Sequence, residues 1–299
     1  MPPVAEPSLA ALPSPGLRYF AATRPAFLSV TFVGCLLGLA TALGGGIHVD
    51  PALASVTLFF ALVAHAGANV INDYYDARSG CDAANTERVF PFTGGSRFIQ
   101  NGVLSQRATG IFGYSLLAAV IPAGLWLTVV SASGLIGIGM LGLLVGWAYS
   151  APPLKLNSRG LGELCVTLGF MLLPIGMDYL ARHAFSLTPA AAGLSFGLLV
   201  TNLLYINQFP DRSADLLAGK HHWVARLPVQ QARWGYVLMV ALAYASLPLL
   251  VVGGVLPWPV LLGWLSLPLS LKATQGLLQH AGQPAQLAAA IQQTIGAAS

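Results

Sequence analysis

The sequence predicts an all-α, polytopic membrane helix bundle. Three observations carry that prediction. Only 8% of the 299 residues are charged and 56% are hydrophobic, whereas soluble domains are roughly 25% charged. Eight stretches are apolar over about 20 residues or nearly so, the length that crosses a bilayer. Finally, of the 14 lysines and arginines, all but Arg182 fall on one side of the eight-span topology. The positive-inside rule makes that side cytoplasmic. The mean hydropathy of +0.71 agrees.

The elements follow in order. Residues 1–16 are rich in Pro, Ala and Ser and lack the basic start and apolar core of a signal peptide. They read as a disordered tail, and residues 17–299 as a single transmembrane domain. Spans are expected at 25–47, 53–72, 108–130, 134–149, 161–181, 190–207, 234–252 and 255–271. The fourth is short. Tight breaks at 131–133 and 253–254 make the third and fourth spans, and the seventh and eighth, helical hairpins. Pro122, Pro174 and Pro248 predict kinks, which membrane bundles tolerate. After Lys272 the chain turns polar. Residues 285–298 read as a helix too short and too rich in Gln to span. An even number of spans leaves both termini on the cationic side. The chain is expected in the inner (cytoplasmic) membrane, multi-pass, with its N-terminus cytoplasmic. No nucleic-acid partner is expected.

Asp73, Asp76, Asp82, Glu87, Glu163, Asp211 and Asp215 share the cations' side, and Asp50 and Asp178 lie near the other. Two long loops, about 73–107 and 208–233, hold both kinds of charge, and loops of that length in a compact bundle tend to be functional. The second span ends in "NDYYDARSGCD" and the sixth in "NQFPDRSADLLAGK". Both contain N-x-x-x-D, as Asn72/Asp76 and Asn207/Asp211, a weak hint of a 4+4 duplication. Asp73 and Asp76 are three apart, and Asn207, Asp211 and Asp215 step by four, so each set shares a helix face. Pro210, Gly80 and Gly219 mark the expected passage from helix to loop.

Carboxylates packed together repel one another, and a cation relieves them. Oxygen ligands without His or Cys select a hard ion, Mg²⁺ or Ca²⁺. Mg²⁺ uses one or two carboxylates and completes its shell with water and substrate phosphate. Two such clusters, facing each other, would clamp a diphosphate through metal held by Asp73, Asp76, Asp211 and Asp215. Arg78, Arg97, Lys155, Arg212, Lys220 and Arg226 could neutralise the remaining phosphate charge.

Other polar segments lie on the same side. "PFTGGSRFIQNG" offers Thr93, Ser96 and Arg97 beside a Gly94–Gly95 pair. "YSAPPLKLNSRGLGE" offers Tyr149, whose ring face could shield a cation, and Lys155, an anion site. His65, inside the second span, reads as a packing residue, and His221 and His222 as loop residues. Cys35, Cys81 and Cys165 have neither metal-type spacing nor a disulfide framework. They read as small apolar filler.

These segments resemble a known family. "NDYYDARSGCD" looks like the first aspartate-rich motif of the UbiA-type intramembrane aromatic prenyltransferases, and "NQFPDRSADLLAGK" like the second. "PFTGGS" and "YSAPPLKLNSRGLGE" are similar to two further family segments. The four occur in the family's order over residues 69–226. The resemblance implies a prenyltransferase fold with cytoplasmic cap loops, a Mg²⁺ cofactor, a polyprenyl diphosphate donor and a small aromatic acceptor. It implies metal binding by the four aspartates. Asn72 and Asn207 would orient ligands, and Arg78, Arg97, Lys220 and Arg226 would grip the diphosphate. Lys155 and Tyr149 would complete the catalytic set. The forms N-D-Y-x-D-x-x-x-G-x-D, P-F-T-G-G-S and F-P-D-x-x-x-D-x-x-x-G-K look most like the menaquinone-pathway branch. That branch transfers a polyprenyl chain to 1,4-dihydroxy-2-naphthoate with loss of its carboxylate. The ubiquinone branch uses 4-hydroxybenzoate and a differently spaced first motif.

The chain departs from the family pattern twice. The family fold has nine helices against eight spans here, and His221-His222-Trp223 replaces a basic or small polar pair. The rivals are less consistent with the residues. A transporter would place its polar features near the midplane. A CDP-alcohol phosphotransferase would concentrate its aspartates in one motif.

Overall fold

The structure is a computed structural model that describes residues 5–299. Among the described residues every regular element is helical. The chain runs through α1 (Pro15–Ala22), α2 (Ser29–Gly44), α3 (Pro51–Ser79), α4 (Cys81–Ala84), α5 (Gln106–Val130) and α6 (Leu135–Ser150). It continues through α7 (Gly162–Arg182), α8 (Leu187–Leu217), α9 (Trp223–Arg226), α10 (Val229–Val252), α11 (Leu267–His280) and α12 (Ala288–Ala298).

Among the described residues six helices are long and apolar enough to cross a membrane, taking α2 with the 3₁₀ turn that precedes it. The sequence expectation was eight. The fourth expected span is α6, apolar but only 16 residues long, short of the roughly 20 that a span needs. The eighth breaks into a 3₁₀ segment, Trp258–Ser266, and then α11. Pro257, Pro259 and Pro268 explain the break, because each lacks an amide donor. The sequence-predicted helix near the C-terminus forms as α12, and it packs on α8 and α11. Tyr236 OH and Thr294 Oγ1 meet there at 2.8 Å.

Helix α8 is the buried axis of the bundle, flanked by α7, α10 and α12. The largest core cluster joins its Leu203, Ile206 and Phe209 to Tyr236, Leu277 and Ile291. A second layer pairs α3 with α5 and α6. Outward faces remain apolar: Val129 and Val252 are 84% and 89% exposed. In a water-soluble protein such faces would be a liability, whereas lipid is their natural solvent. At the end away from most cations, Arg182 pairs with fully buried Asp178 at 2.7 Å, and Thr41 Oγ1 donates to the same carboxylate at 3.0 Å. The one outlying cation is thereby neutralised, and it ties α7 to α2.

Helix α3 ends where Gly80 marks the passage to loop, whereas α8 runs past Pro210. Helix α3 begins at an Asp50 cap, which accepts from Ala52 N at 2.8 Å, and runs past Asp76 to Ser79. Gly80 stops it at a φ of 78°, a conformation that glycine adopts without steric cost. Pro210 does not end α8, which continues through it to Leu217. A proline inside a helix removes one hydrogen bond and can be accommodated in a packed bundle. The acids therefore stand on helix rather than loop, which keeps their three- and four-residue spacing on one face.

Candidate active site

The C-terminal ends of α3 and α8 converge, and the segment after each folds back over the junction. Lys220, three residues beyond α8, is central. Its Nζ lies 2.9 Å from Asp76 Oδ1 and 3.1 Å from Asp215 Oδ1. One ammonium thus bridges the two acidic clusters. Burial alone would lower the Lys220 pKa, but Asp76 and Asp215 outweigh it and hold it well above the usual lysine range.

Each acid is oriented by further contacts. Asn72 Nδ2 donates to Asp76 Oδ2 at 3.2 Å and to Ser150 Oγ at 2.9 Å, which fixes α3 to the end of α6. Buried Asp73 accepts from the Ser96 amide at 3.2 Å. Asp211 accepts from Asn85 Nδ2. Buried Asp215 accepts from Cys81 Sγ at 3.0 Å and contacts His222 Nε2 at 3.0 Å. His222 Nδ1 accepts from the Ala225 amide at 3.2 Å. The ring proton of the neutral imidazole therefore sits on Nε2 and is donated to Asp215.

The loop between α4 and α5 closes over this junction. Asp82 is buried, and Gln100 Nε2 donates to it at 3.3 Å. Burial first, then repulsion from Asp76 and Asp73, pushes Asp82 up to about 8. Gly95 packs against the Asp82 carboxylate with a φ of 73°, leaving no room for a Cβ. Gly95→Ala should therefore displace the cap at a cost of roughly 1–3 kcal/mol. Limited proteolysis between residues 80 and 105 would read this as faster cleavage than in the parent protein. Arg97 is buried, donates to the Asp82 carbonyl and lies 3.6 Å from Glu6 Oε2. Of the expected N-terminal tail, residues 1–4 lie outside the described residues. Glu6 also pairs with Arg88 at 2.6 Å and accepts from Asn101 at 3.0 Å, so this part of the chain lies on the cap.

The remaining sequence-predicted residues divide. Tyr149 lines the central cavity together with Asn72 and Asn207. Lys155 is exposed on the α6–α7 loop. Arg226 is exposed and donates to the Arg159 carbonyl at 3.0 Å. Arg212 donates to the Val224 carbonyl at 3.0 Å and so braces α9. Arg78 lies over the Tyr74 and Tyr75 rings and lines a groove on the outer side of α3 and α5. Among the described residues, only Lys220 of the basic candidates pairs with any of the four aspartates, namely Asp76 and Asp215. His65 lines the cavity and is hydrogen-bonded to Thr31 Oγ1 at 2.7 Å.

Sequence reasoning passed over Arg24, Asn69, Cys81, Asn85 and His222. Arg24 and Asn69 line the cavity, and Arg24 stacks 4.4 Å from the Phe27 ring centroid. Asn69 was visible in principle, since it stands one turn before Asp73. His222 and Cys81 had no local signal, because only tertiary folding brings them to Asp215.

An apolar cavity of about 410 Å³ lies between α2, α3, α6, α7 and α8; the four aspartates do not line it, but Asn72, which donates to Asp76, does. On α3 its wall runs from Asn72 and Asn69 at the polar end to Thr57, about 22 Å at 1.5 Å per residue. On α6, Gly139, Gly142 and Gly146 line the cavity beside Ile138, Leu143 and Val145. A long, thin, apolar ligand with a charged head at the acids would match this shape. A hard divalent cation also fits the polar end. Asp76 and Asp215 meet on one lysine, Asp73 and Asp211 stand on the same two helix ends, and the buried Oδ1 of Asn207, beside the cavity, has no hydrogen-bond partner. Among the described residues no three His, Cys, Asp or Glu side chains form a cage by themselves. The donors therefore suit an ion shared with a phosphate ligand.

Comparison with known proteins agrees with this geometry. A family model described as the UbiA prenyltransferase family matches residues 30–292. The chain is 29% identical to 2-carboxy-1,4-naphthoquinone phytyltransferase of Synechocystis, over 90% of this chain and 85% of that protein. It is 26% identical to 1,4-dihydroxy-2-naphthoate octaprenyltransferase of Bacillus subtilis, over 86% and 81% of the two chains. Its fold is similar to a UbiA homolog from Archaeoglobus fulgidus solved bound to DMAPP and Mg²⁺. The TM-score is 0.63 at 16% identity, covering 94% of this chain and 98% of that one.

Proposed function

The chain belongs to the UbiA prenyltransferase family, and from the geometry of its site we propose that it transfers a polyprenyl group from polyprenyl diphosphate to 1,4-dihydroxy-2-naphthoate, using Mg²⁺. The observation that carries this reading is Lys220 held between Asp76 and Asp215, with Asn72 joining Asp76 to the wall of a long apolar cavity. Relatives named as naphthoate prenyltransferases support the acceptor. A homolog bound to GPP and Mg²⁺ supports the donor and the metal.

In this reading Asp73, Asp76, Asp211 and Asp215 hold the metal, and Asn72 and Asn207 orient the ligands around it. Bound Mg²⁺ supplies positive charge that stabilises the leaving diphosphate. Lys220 contributes a further fixed cation at the same place, already oriented by two carboxylates. The prenyl tail lies along the cavity, with its reactive carbon near Tyr149 and Asn72. Breaking the C–O bond leaves the electron pair on diphosphate and an allylic cation on the tail. The Tyr149 ring face shields that cation, and the apolar walls exclude the water that would quench it. The acceptor attacks through its electron-rich ring carbon and loses its carboxylate as carbon dioxide. Exposed Lys155 meets the acceptor carboxylate on its approach. The cation-bearing end faces the cytoplasm of an inner-membrane enzyme, and residues 17–299 act as one transmembrane domain.

Purified enzyme incubated with geranylgeranyl diphosphate, Mg²⁺ and a choice of acceptors tests the reading. Prenylated naphthalene product and equimolar diphosphate are expected from 1,4-dihydroxy-2-naphthoate. Preference for 4-hydroxybenzoate would overturn the acceptor. The cavity makes a separate prediction. Gly142 is open to it, and the nearest atom to where a Cβ would stand is Leu172 Cδ1, at 3.9 Å. Gly142→Trp should cut kcat/KM for geranylgeranyl diphosphate by at least about tenfold, through lost tail burial. Dimethylallyl diphosphate, too short to reach Gly142, should be spared.

A further inference from the structure

The reaction leaves Arg78 unused. It lines a groove of about 840 Å³ on the outer side of α3 and α5. No lining residue is shared with the central cavity. Two guanidiniums enter the groove from different helices: Arg78 from the last turn of α3 and Arg107 from the first turn of α5. Among the described residues neither makes an ion pair. Arg78 is held there by its neighbours. Its Cζ lies 5.6 and 5.9 Å from the Tyr74 and Tyr75 ring centroids, and Nη1 donates to Tyr74 OH at 3.3 Å. Tyr75 OH and Tyr114 OH, 2.6 Å apart, couple the two helices alongside.

The chemistry of the lining changes along α5. It begins with Arg107, passes Ile111 and Tyr114, and reaches Ala118, a run of about 16 Å at helical rise. Ile111 is 59% exposed, so the lower wall is apolar and open to the side. A charged mouth at the cationic end of the bundle, continued by an apolar trough parallel to the spans, matches one molecule of the bilayer itself. Two uncompensated positive charges favour a lipid with net negative charge over a zwitterionic one.

We propose that this groove binds one anionic phospholipid, its phosphate between Arg78 and Arg107 and an acyl chain along Ile111 and Ala118. A free phosphate shares the headgroup chemistry but would leave the apolar trough unfilled, so the two are separable.

Native mass spectrometry of the delipidated full chain tests this. The protein is titrated with phosphatidylglycerol and with phosphatidylcholine of identical acyl chains. One tightly held phosphatidylglycerol is expected, with weaker phosphatidylcholine binding. Arg78→Gln combined with Arg107→Gln should weaken phosphatidylglycerol about thirtyfold, from the usual contribution of two interfacial cations. Arg78→Lys combined with Arg107→Lys keeps the charge and should retain most of the affinity, which separates lost charge from lost fold. Inorganic phosphate at equal concentration should not displace the lipid. Equal affinity for the two lipids would overturn the proposal. So would unchanged binding in the glutamine pair, equal loss in both pairs, or displacement by inorganic phosphate.

Discussion

Asp76→Ala and Asp211→Ala should each lower prenyl transfer by roughly three orders of magnitude or more, because each removes a preorganised ligand that acts on the leaving group. The fold should survive both. Removing Asp76 relieves repulsion among the acids and leaves Lys220 paired with Asp215 at 3.1 Å. Removing Asp211 leaves the buried Asn85 amide without its acceptor, a cost of about 1–3 kcal/mol that the fold should bear. Initial rates with labelled donor, beside thermal unfolding in detergent, separate lost chemistry from lost structure. Retained Mg²⁺-dependent activity in both variants would remove the aspartates from the reaction.

Lys220→Ala should act on stability as well as rate. It leaves Asp76 and Asp215 facing each other without their shared counter-charge. Breaking a mostly buried pair typically costs about 3–5 kcal/mol, and several degrees of Tm should be lost in EDTA. Mg²⁺ with inorganic diphosphate should recover more Tm in the variant than in the parent protein, since added cations replace the missing ammonium. Transfer should fall roughly a hundredfold, the usual effect of losing one preorganised electrostatic group. An unchanged Tm in EDTA together with unchanged kinetics would make Lys220 a bystander.

Much of the site was legible because helical spacing is local. Asn72, Asp73 and Asp76, and likewise Asn207, Asp211 and Asp215, could be placed on shared faces without any tertiary information. That the two sets meet was less legible, since it depends on Lys220 folding back from α8. Arginines were the least readable. Arg78, Arg97, Arg212 and Arg226 lie near the acids in sequence, yet their long side chains bond to loop carbonyls, stack on tyrosines or pair with Glu6. His222 and Cys81 reach Asp215 from separate loops, a contact no periodicity encodes. Hydropathy located all six long spans; the two further expected spans fall at α6 and at Trp258–Ser266, which are apolar but not among the six. One is a helix of only 16 residues, and prolines interrupt the other.

The most direct measurement is anomalous scattering from crystals grown with Mn²⁺ and a non-reactive thiolodiphosphate donor. Manganese peaks touching the carboxylates of Asp73 or Asp76 on α3 and of Asp211 or Asp215 on α8, bridged by the donor phosphates, are the expected result. A donor seated in the cavity with no metal at either set of aspartates would contradict the assignment of both clusters.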